Sequence, residues 1–428
     1  MVYALKSLAL SAAAALTVLA GPTAAAAAIP VISVPPVTPV VPADGGVGDQ
    51  CTFPSKPYAG RPWALQRVLL DELWHQSTGK GVKVAVIDTG VDIKNPQLTG
   101  AVDASKGKNY LPKDLKDPDN RPLPRGAENG TTDTVGHGTR VAGIIAARPA
   151  KNTGFVGLAP DATIIPIQQN DADGHGTAQT LADAIRYAID AGADVINISQ
   201  DTANAVAPAA TLKQAVDAAL AHQIVVVASA GNDGLGGNVK STYPASYPGV
   251  LAVAASDRNN ERAAFSQSGE FVGVAAPGVD MVSTVPGGGH CADNGTSFSA
   301  PYVAGVAALI KAKHPRWTQR EIVTQIQQTA ERSVSGHDRL VGWGVVDPVR
   351  ALTEDDHPLE SPVAHEGITP ARAPTPAALH LGETDEERTQ RLAMYVATGA
   401  AVLAAVLGGT AVAIRDARRR SRRVAERN

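Results

Sequence analysis

Residues 82–90 read VKVAVIDTG, a short valine-rich run that ends in an acid, Asp88, and turns out through Thr-Gly. Its apolar residues occupy successive positions rather than alternate ones, which predicts a strand buried on both faces. Four more runs repeat the pattern: TIIPI (163–167), DVINIS (194–199), IVVVASAG (224–231) and VLAVAAS (250–256). Segments of helical period lie between several of them. TAQTLADAIRYAIDAG (177–192) sets Leu181, Ala184, Ile185, Ala188 and Ile189 on one face. APAATLKQAVDAALAHQ (207–223) does likewise with Leu212, Ala215, Val216, Ala219 and Leu220. Strands of this kind alternating with helices predict an α/β fold, a mostly parallel sheet covered by helices on both faces. In such sheets functional groups collect at the carboxyl ends of the strands.

Those ends carry chemistry here. Asp88 closes its strand where it can orient a histidine, whereas Asp92, past the turn, reads as a solvated loop acid. The tetrapeptide GHGT occurs twice, at 136–139 and 174–177. The first copy runs into RVAGIIAA, small and apolar on all sides, which predicts a buried helix and a rigidly held His137. The second opens the amphipathic segment 177–192. NGTSFSAPYVAGVAALI (294–310) offers a nucleophile, Ser297, near the start of a helix that is apolar almost all round. Proline is tolerated in the first helical turn, so Pro301 is expected to mark where that helix begins. A serine so placed lies near the positive pole of the helix, where developing negative charge is stabilised. Ser299, the rival hydroxyl, reads as a capping or first-turn serine. Asn232, after Gly231 in VVVASAGN (225–232), is either a side-chain donor to an oxyanion or a plain turn residue.

The two ends of the 428-residue chain read as export and membrane signals. Lys6, an apolar run from Leu8 to Ala20 and A-x-A sites between Ala24 and Ala28 make residues 1–28 a secretory signal peptide. A Pro-rich extension (29–60) precedes the ordered domain (61–354), and a polar Pro-rich linker (355–391) follows it. Residues 392–414 are uncharged and long enough to cross a bilayer. Seven arginines against Asp416 and Glu426 then give the tail 415–428 a local charge of +5, out of −3 for the whole chain. The positive-inside rule puts that tail in the cytoplasm and the large domain outside, a single-pass protein of the cell membrane. With −8 left on the rest, no basic footprint for nucleic acid remains. In an oxidising exterior the only two cysteines, Cys51 and Cys291, read as a disulfide. No Cys/His cluster has zinc-site spacing, and no metal or other cofactor is expected.

VIDTGV, GHGTRVAGIIA and NGTSFSAPYVAGVAAL, in the order Asp, His, Ser with SAGN between the last two, resemble the signatures of the subtilisin-like serine proteases. The resemblance covers residues 60–353 and implies a three-layer subtilisin-like fold. It also implies a peptide-bond hydrolase with Ser297 as nucleophile, His137 as general base and acid, and Asp88 orienting the imidazole. The Ser297 backbone N–H and the Asn232 amide would form the oxyanion hole. The order Asp, His, Ser excludes an α/β-hydrolase, whose serine comes first. The signal peptide, the Cys-bearing extension, FVGLAPDA (155–162), VGWGVVDPVRALT (341–353) and the Arg-tailed membrane segment further resemble the mycosins. Those are membrane-anchored subtilases of type VII secretion systems.

The chain departs from that pattern in places. Mycosins usually carry cysteine in DCDGHGT, where this chain reads DTVGHGT (133–139), and often another after the VINIS strand. Without those cross-links, a Cys51–Cys291 bond would pin the extension beside the loop leading to Ser297. The usual Ser-Leu-Gly is replaced by Ser199-Gln200-Asp201, which alters the expected substrate register. Ser229 and Gly231, within ASAG, are expected to line the pocket for the side chain before the scissile bond. Gly174, His175 and Gly176 of the second GHGT either border a substrate subsite or form a glycine turn capping a surface helix. No acidic loop marks a structural calcium site. Two functions follow: a membrane-anchored serine endopeptidase cutting protein or peptide substrates, or a structural stabiliser of a secretion complex with proteolysis secondary.

Overall fold

The run that begins at Val82 becomes an interior strand of a seven-stranded sheet. The computed structural model describes residues 51–116, 120–171, 176–200, 210–235, 241–364 and 385–425. In chain order the first elements are α1 (Trp63–Gln66), α2 (Leu70–Gln76), β1 (Lys83–Asp88), β2 (Lys108–Asn109), α3 (His137–Ala146) and β3 (Thr163–Gln168). Then come α4 (Ala178–Asp190), β4 (Val195–Ile198), α5 (Ala210–Ala221), β5 (Val225–Ser229), β6 (Leu251–Ser256) and β7 (Val272–Pro277). The last are β8 (Met281–Thr284), β9 (His290–Asp293), α6 (Thr296–Lys313), α7 (Gln319–Gln328), α8 (Pro348–Thr353) and α9 (Asp385–Ala425).

The sheet order is β2-β3-β1-β4-β5-β6-β7, every neighbour parallel, so the carboxyl ends share one edge. Asp88 pairs with Gln168, and Ile198 with both Ile87 and Ala228. Burial on both faces explains the unbroken apolar runs. Val84 and Val86 pack into one core with Val141, Ile145 and Val303 from α3 and α6. Ala85 and Ile87 point the other way, into a core with Ile185 and Val216 from α4 and α5. The expected doubly covered parallel sheet is therefore what forms, and all five apolar runs are strands in it. Outside it, β8 and β9 make an antiparallel hairpin.

Helix α6 corrects one expectation. It starts at Thr296 after Gly295, so Pro301 lies at its sixth position rather than in its first turn. Residue 301 cannot donate to the Ser297 carbonyl, the bond a proline removes. Burial of every residue from Phe298 to Ile310 holds the helix together regardless.

Residues 53–60 run as a strap along the β8–β9 hairpin. Ser55 N–H donates to Gly288 O at 2.9 Å, and His290 N–H donates to Lys56 O at 3.1 Å. Tyr58 N–H donates to His290 Nδ1 at 3.0 Å. Cys51 and Cys291 are both disulfide-bonded. α9 includes a segment long and apolar enough to cross a membrane, and the expected span 392–414 falls inside it. The expected signal peptide (1–28), residues 29–50 of the extension and 365–384 of the linker lie outside the described residues.

Candidate active site

β1 delivers Asp88, fully buried, to the carboxyl edge of the sheet. α3 starts there with His137, after Gly136 in the left-handed conformation (φ 83°). His137 Nδ1 lies 2.7 Å from Asp88 Oδ1, which also accepts Thr89 N–H at 2.7 Å. A carboxylate at Nδ1 holds the proton on that nitrogen and leaves Nε2 unprotonated in the neutral ring. Burial disfavours the charged imidazole, but the Asp88 charge and hydrogen bond outweigh it, so the His137 pKa is raised above 6.5. Residue 138 has to be glycine, because a Cβ there would collide with the Gly90 carbonyl and come within 3.0 Å of Asp88 Cβ.

A second buried acid braces the same turn. Asp133 Oδ1 accepts from Gly136 N–H (2.7 Å), Val135 N–H (3.1 Å) and Thr89 Oγ1 (2.9 Å). Its Oδ2 accepts from Thr139 N–H (2.9 Å) and Thr139 Oγ1 (2.6 Å). Gly138 N–H in turn donates to Thr89 Oγ1 at 3.0 Å. One carboxylate thus satisfies the Thr139 N–H of the first turn of α3 and the N–H of its N-cap Gly136, and ties them to the end of β1 through Thr89 Oγ1. Burial raises the Asp133 pKa against the pull of these hydrogen bonds. Asp92 is also buried, contrary to its reading as a solvated acid: Oδ2 accepts Gly287 N–H at 2.6 Å.

Ser297 stands half-buried at the second position of α6. Phe298, next in the chain, has its ring centroid 5.4 Å from that of His137, so the serine's turn abuts the imidazole. Asn232 follows β5, and its Oδ1 accepts from Thr296 N–H and Thr296 Oγ1, each at 2.9 Å. A Cβ built on Gly295 would lie 3.6 Å from Asn232 Nδ2 and 3.7 Å from Ser297 N. The Asn232 amide nitrogen and the Ser297 backbone nitrogen thus both lie within 4 Å of one point at the turn that leads into α6. Ser299 is fully buried at the fourth position of α6; it does not cap the helix, which Gly295 precedes.

The remaining expected residues fall in different places. Ser199 is buried, its Oγ accepting from Asn197 Nδ2 at 2.9 Å, and Ser229 is buried at the end of β5. Gly231 donates its N–H to Thr296 Oγ1 (3.2 Å) and accepts Gln267 N–H (2.9 Å), so its backbone braces the asparagine turn. Gly174 and His175 lie outside the described residues. Gly176 is exposed, and a Cβ there would collide with the Gln169 side-chain amide. Thr177 is the N-cap of α4, its side chain accepting from Thr180 N–H at 3.0 Å. Among the described residues no group of three or more His, Cys, Asp or Glu side chains could hold a metal ion. Asp133, Thr296 and Arg140 escaped the reading of the sequence. No local pattern marked Asp133, which lies three residues before the N-cap Gly136 rather than at it.

The sequence model of the Peptidase S8 subtilase family matches residues 79–344. Subtilisin Savinase of Lederbergia lenta is 38% identical over 287 residues, 67% of this chain and 96% of the relative. Subtilisin E of Bacillus subtilis (strain 168) is 37% identical over 288 residues, 67% of this chain and 70% of the relative. Among solved structures, the MycP3 protease from the type VII (ESX-3) secretion system is 34% identical with a TM-score of 0.60. That match covers 70% of this chain and 90% of the other. MycP1 from Mycobacterium smegmatis is 32% identical with a TM-score of 0.60, over 74% and 90% of the two chains. The chain belongs to the subtilase family and is a subtilisin-like serine protease.

Proposed function

We propose that the protein is a membrane-anchored serine endopeptidase working outside the cytoplasm, in the setting of a type VII secretion system. Ser297 attacks the scissile carbonyl, His137 takes its proton and returns it to the leaving amine, and Asp88 holds the tautomer and stabilises the imidazolium. Asn232 Nδ2 and the Ser297 N–H receive the oxyanion. The observation that carries this reading is a histidine paired to a buried acid, its ring 5.4 Å from that of Phe298, the residue after Ser297. α9 supports the anchor, and its C-terminal arginines support a cytoplasmic tail. The similarity to MycP3 and MycP1 supports the secretion setting. A fluorophosphonate should label the wild type and not Ser297→Ala; labelling that survives the substitution would sink the assignment.

The hydrogen-bonded strap 53–60 and the disulfide-bonded state of both cysteines support a permanent brace rather than a removable inhibitor, which keeps the stabiliser reading open. Deleting the protein and replacing it with Ser297→Ala separates the two functions. Secretion restored by the inactive variant favours the stabiliser, and secretion still blocked favours the peptidase.

A further inference from the structure

Helix α3 carries another side chain on the face of His137, three residues on. Arg140 Nε donates to Gly136 O at 3.1 Å, and Nη1 donates to Asp293 Oδ2 at 2.5 Å. Its guanidinium carbon lies 5.5 Å from the centroid of the Phe298 ring. The same ring lies near the imidazole, with centroids 5.4 Å apart and planes inclined by 44°. Asp293 ends β9, just before the Asn294-Gly295-Thr296 turn that leads to Ser297. Phe298 directly follows the serine and is 2% exposed. One side chain, 12% exposed, therefore spans from the turn that carries His137 to both flanks of the loop that carries Ser297. β8 steadies the same helical turn, with Ser283 Oγ donating to Arg140 O (2.6 Å) and Thr284 Oγ1 to Thr139 O (2.8 Å).

We propose that Arg140 is a positioning residue for proton transfer, a clamp that sets the spacing and tilt between the His137 imidazole and Ser297. The inference rests on the catalytic roles proposed above for those two residues. Proton transfer tolerates little misplacement, since an error near 1 Å costs roughly a hundredfold in rate. A planar guanidinium suits this role because it donates in its plane to Gly136 O and Asp293 while lying over Phe298. A lysine, as a point charge, cannot hold all three contacts.

The clamp also has an electrostatic signature. The charged groups acting on His137 are Asp88 from β1, Asp133 from the loop before α3, and Arg140 itself. Arg140 opposes the imidazolium, and Asp293 offsets part of that charge through the ion pair. Removing the arginine should therefore raise the pH at which His137 becomes a base. Removing only Asp293 should leave the guanidinium unpaired and lower it.

The test is the rate of fluorophosphonate labelling of the full-length protein from pH 5 to 9, with thermal melting recorded for each variant. Arg140→Gln should lower the plateau rate at least about tenfold and move the midpoint up by roughly half a pH unit. Asp293→Asn should move it down by a similar amount, and Arg140→Lys should keep the midpoint near wild type without restoring the plateau. A wild-type plateau and midpoint in Arg140→Gln, or shifts of the same sign in Arg140→Gln and Asp293→Asn, would overturn the clamp. If Arg140→Gln does not fold, Asp293→Asn decides: a downward shift at unchanged melting supports the clamp and an unmoved midpoint overturns it. Labelling that persists in Ser297→Ala overturns the peptidase reading and the clamp together. A labelled wild type with an unresponsive Arg140→Gln overturns the clamp alone.

Discussion

Asn232 grips Thr296 through its amide oxygen, which accepts both the backbone N–H and the hydroxyl of that threonine at 2.9 Å. The oxygen is committed to those donors, and the amide nitrogen lies, like Ser297 N, within 4 Å of a Cβ built on Gly295. In the proposed mechanism the Thr296 bonds fix the amide before substrate arrives, so no reorganisation is needed as charge develops.

Asn232→Asp should separate the two ends of that side chain. Its carboxylate can still accept from Thr296 but donates nothing to an oxyanion. The turnover number should fall about 10²–10³-fold, a magnitude borrowed from the matching donor in subtilisin, while the melting temperature stays close to wild type. Asn232→Ala should lose comparable activity and also destabilise by about 1–2 kcal/mol through the lost Thr296 bonds. Paired kinetics and melts check this, and full activity in the Asp variant would remove Asn232 from the oxyanion hole.

Asp88→Asn should lower turnover by about 10⁴-fold, because an amide permits the wrong imidazole tautomer. It should also change how stability depends on pH. The folded-state pKa of His137 is raised, so the protonated ring stabilises the fold in full below about pH 6.5. That contribution fades as pH rises through the folded value. The stability difference between wild type and Asp88→Asn should therefore be larger at pH 5 than at pH 9. Denaturant titrations at the two pH values measure it, and a pH-independent difference would contradict the pairing.

Asp133→Asn should be costly even though it removes a buried charge. Five donor contacts converge on the carboxylate, and an amide nitrogen would face some of them. A loss of about 2–4 kcal/mol is expected, together with slower turnover as the α3 start loosens. Calorimetry and kinetics on the same preparation test this; a variant that melts like wild type would show the network to be dispensable.

His290 locks the strap from the neutral state. Tyr58 N–H donates to its Nδ1, which leaves Nε2–H to donate to Gln97 Oε1 at 2.7 Å. Burial pushes its pKa down to about 4. The stabilisation is complete above pH 6.5 and is lost as pH falls toward about 4. His290→Gln should flatten this acid limb of the stability curve. Melting curves between pH 4 and 7 provide the check, and an unchanged acid slope in the variant would count against it.

The five apolar runs, the helices between them and the order of Asp88, His137, Asn232 and Ser297 were legible in the chain alone. Each depends on neighbours within a few residues: an apolar run closed by an acid, a small-residue helix opened by Gly-His-Gly, a serine before a buried helix. Strands β2 and β7–β9 were not legible, since two to six residues interrupted by Gly273 or ended by Pro277 carry no clear period. The solvent state of Asp92, the hub at Asp133 and the reach of Arg140 to Asp293 were decided only by the tertiary structure. Asp92 meets Gly287 across 195 positions and Arg140 meets Asp293 across 153. Whether an acid is a solvated loop residue or a brace under the turn that carries His137 depends on which distant backbone the sheet brings beside it. Local sequence pattern does not contain that information.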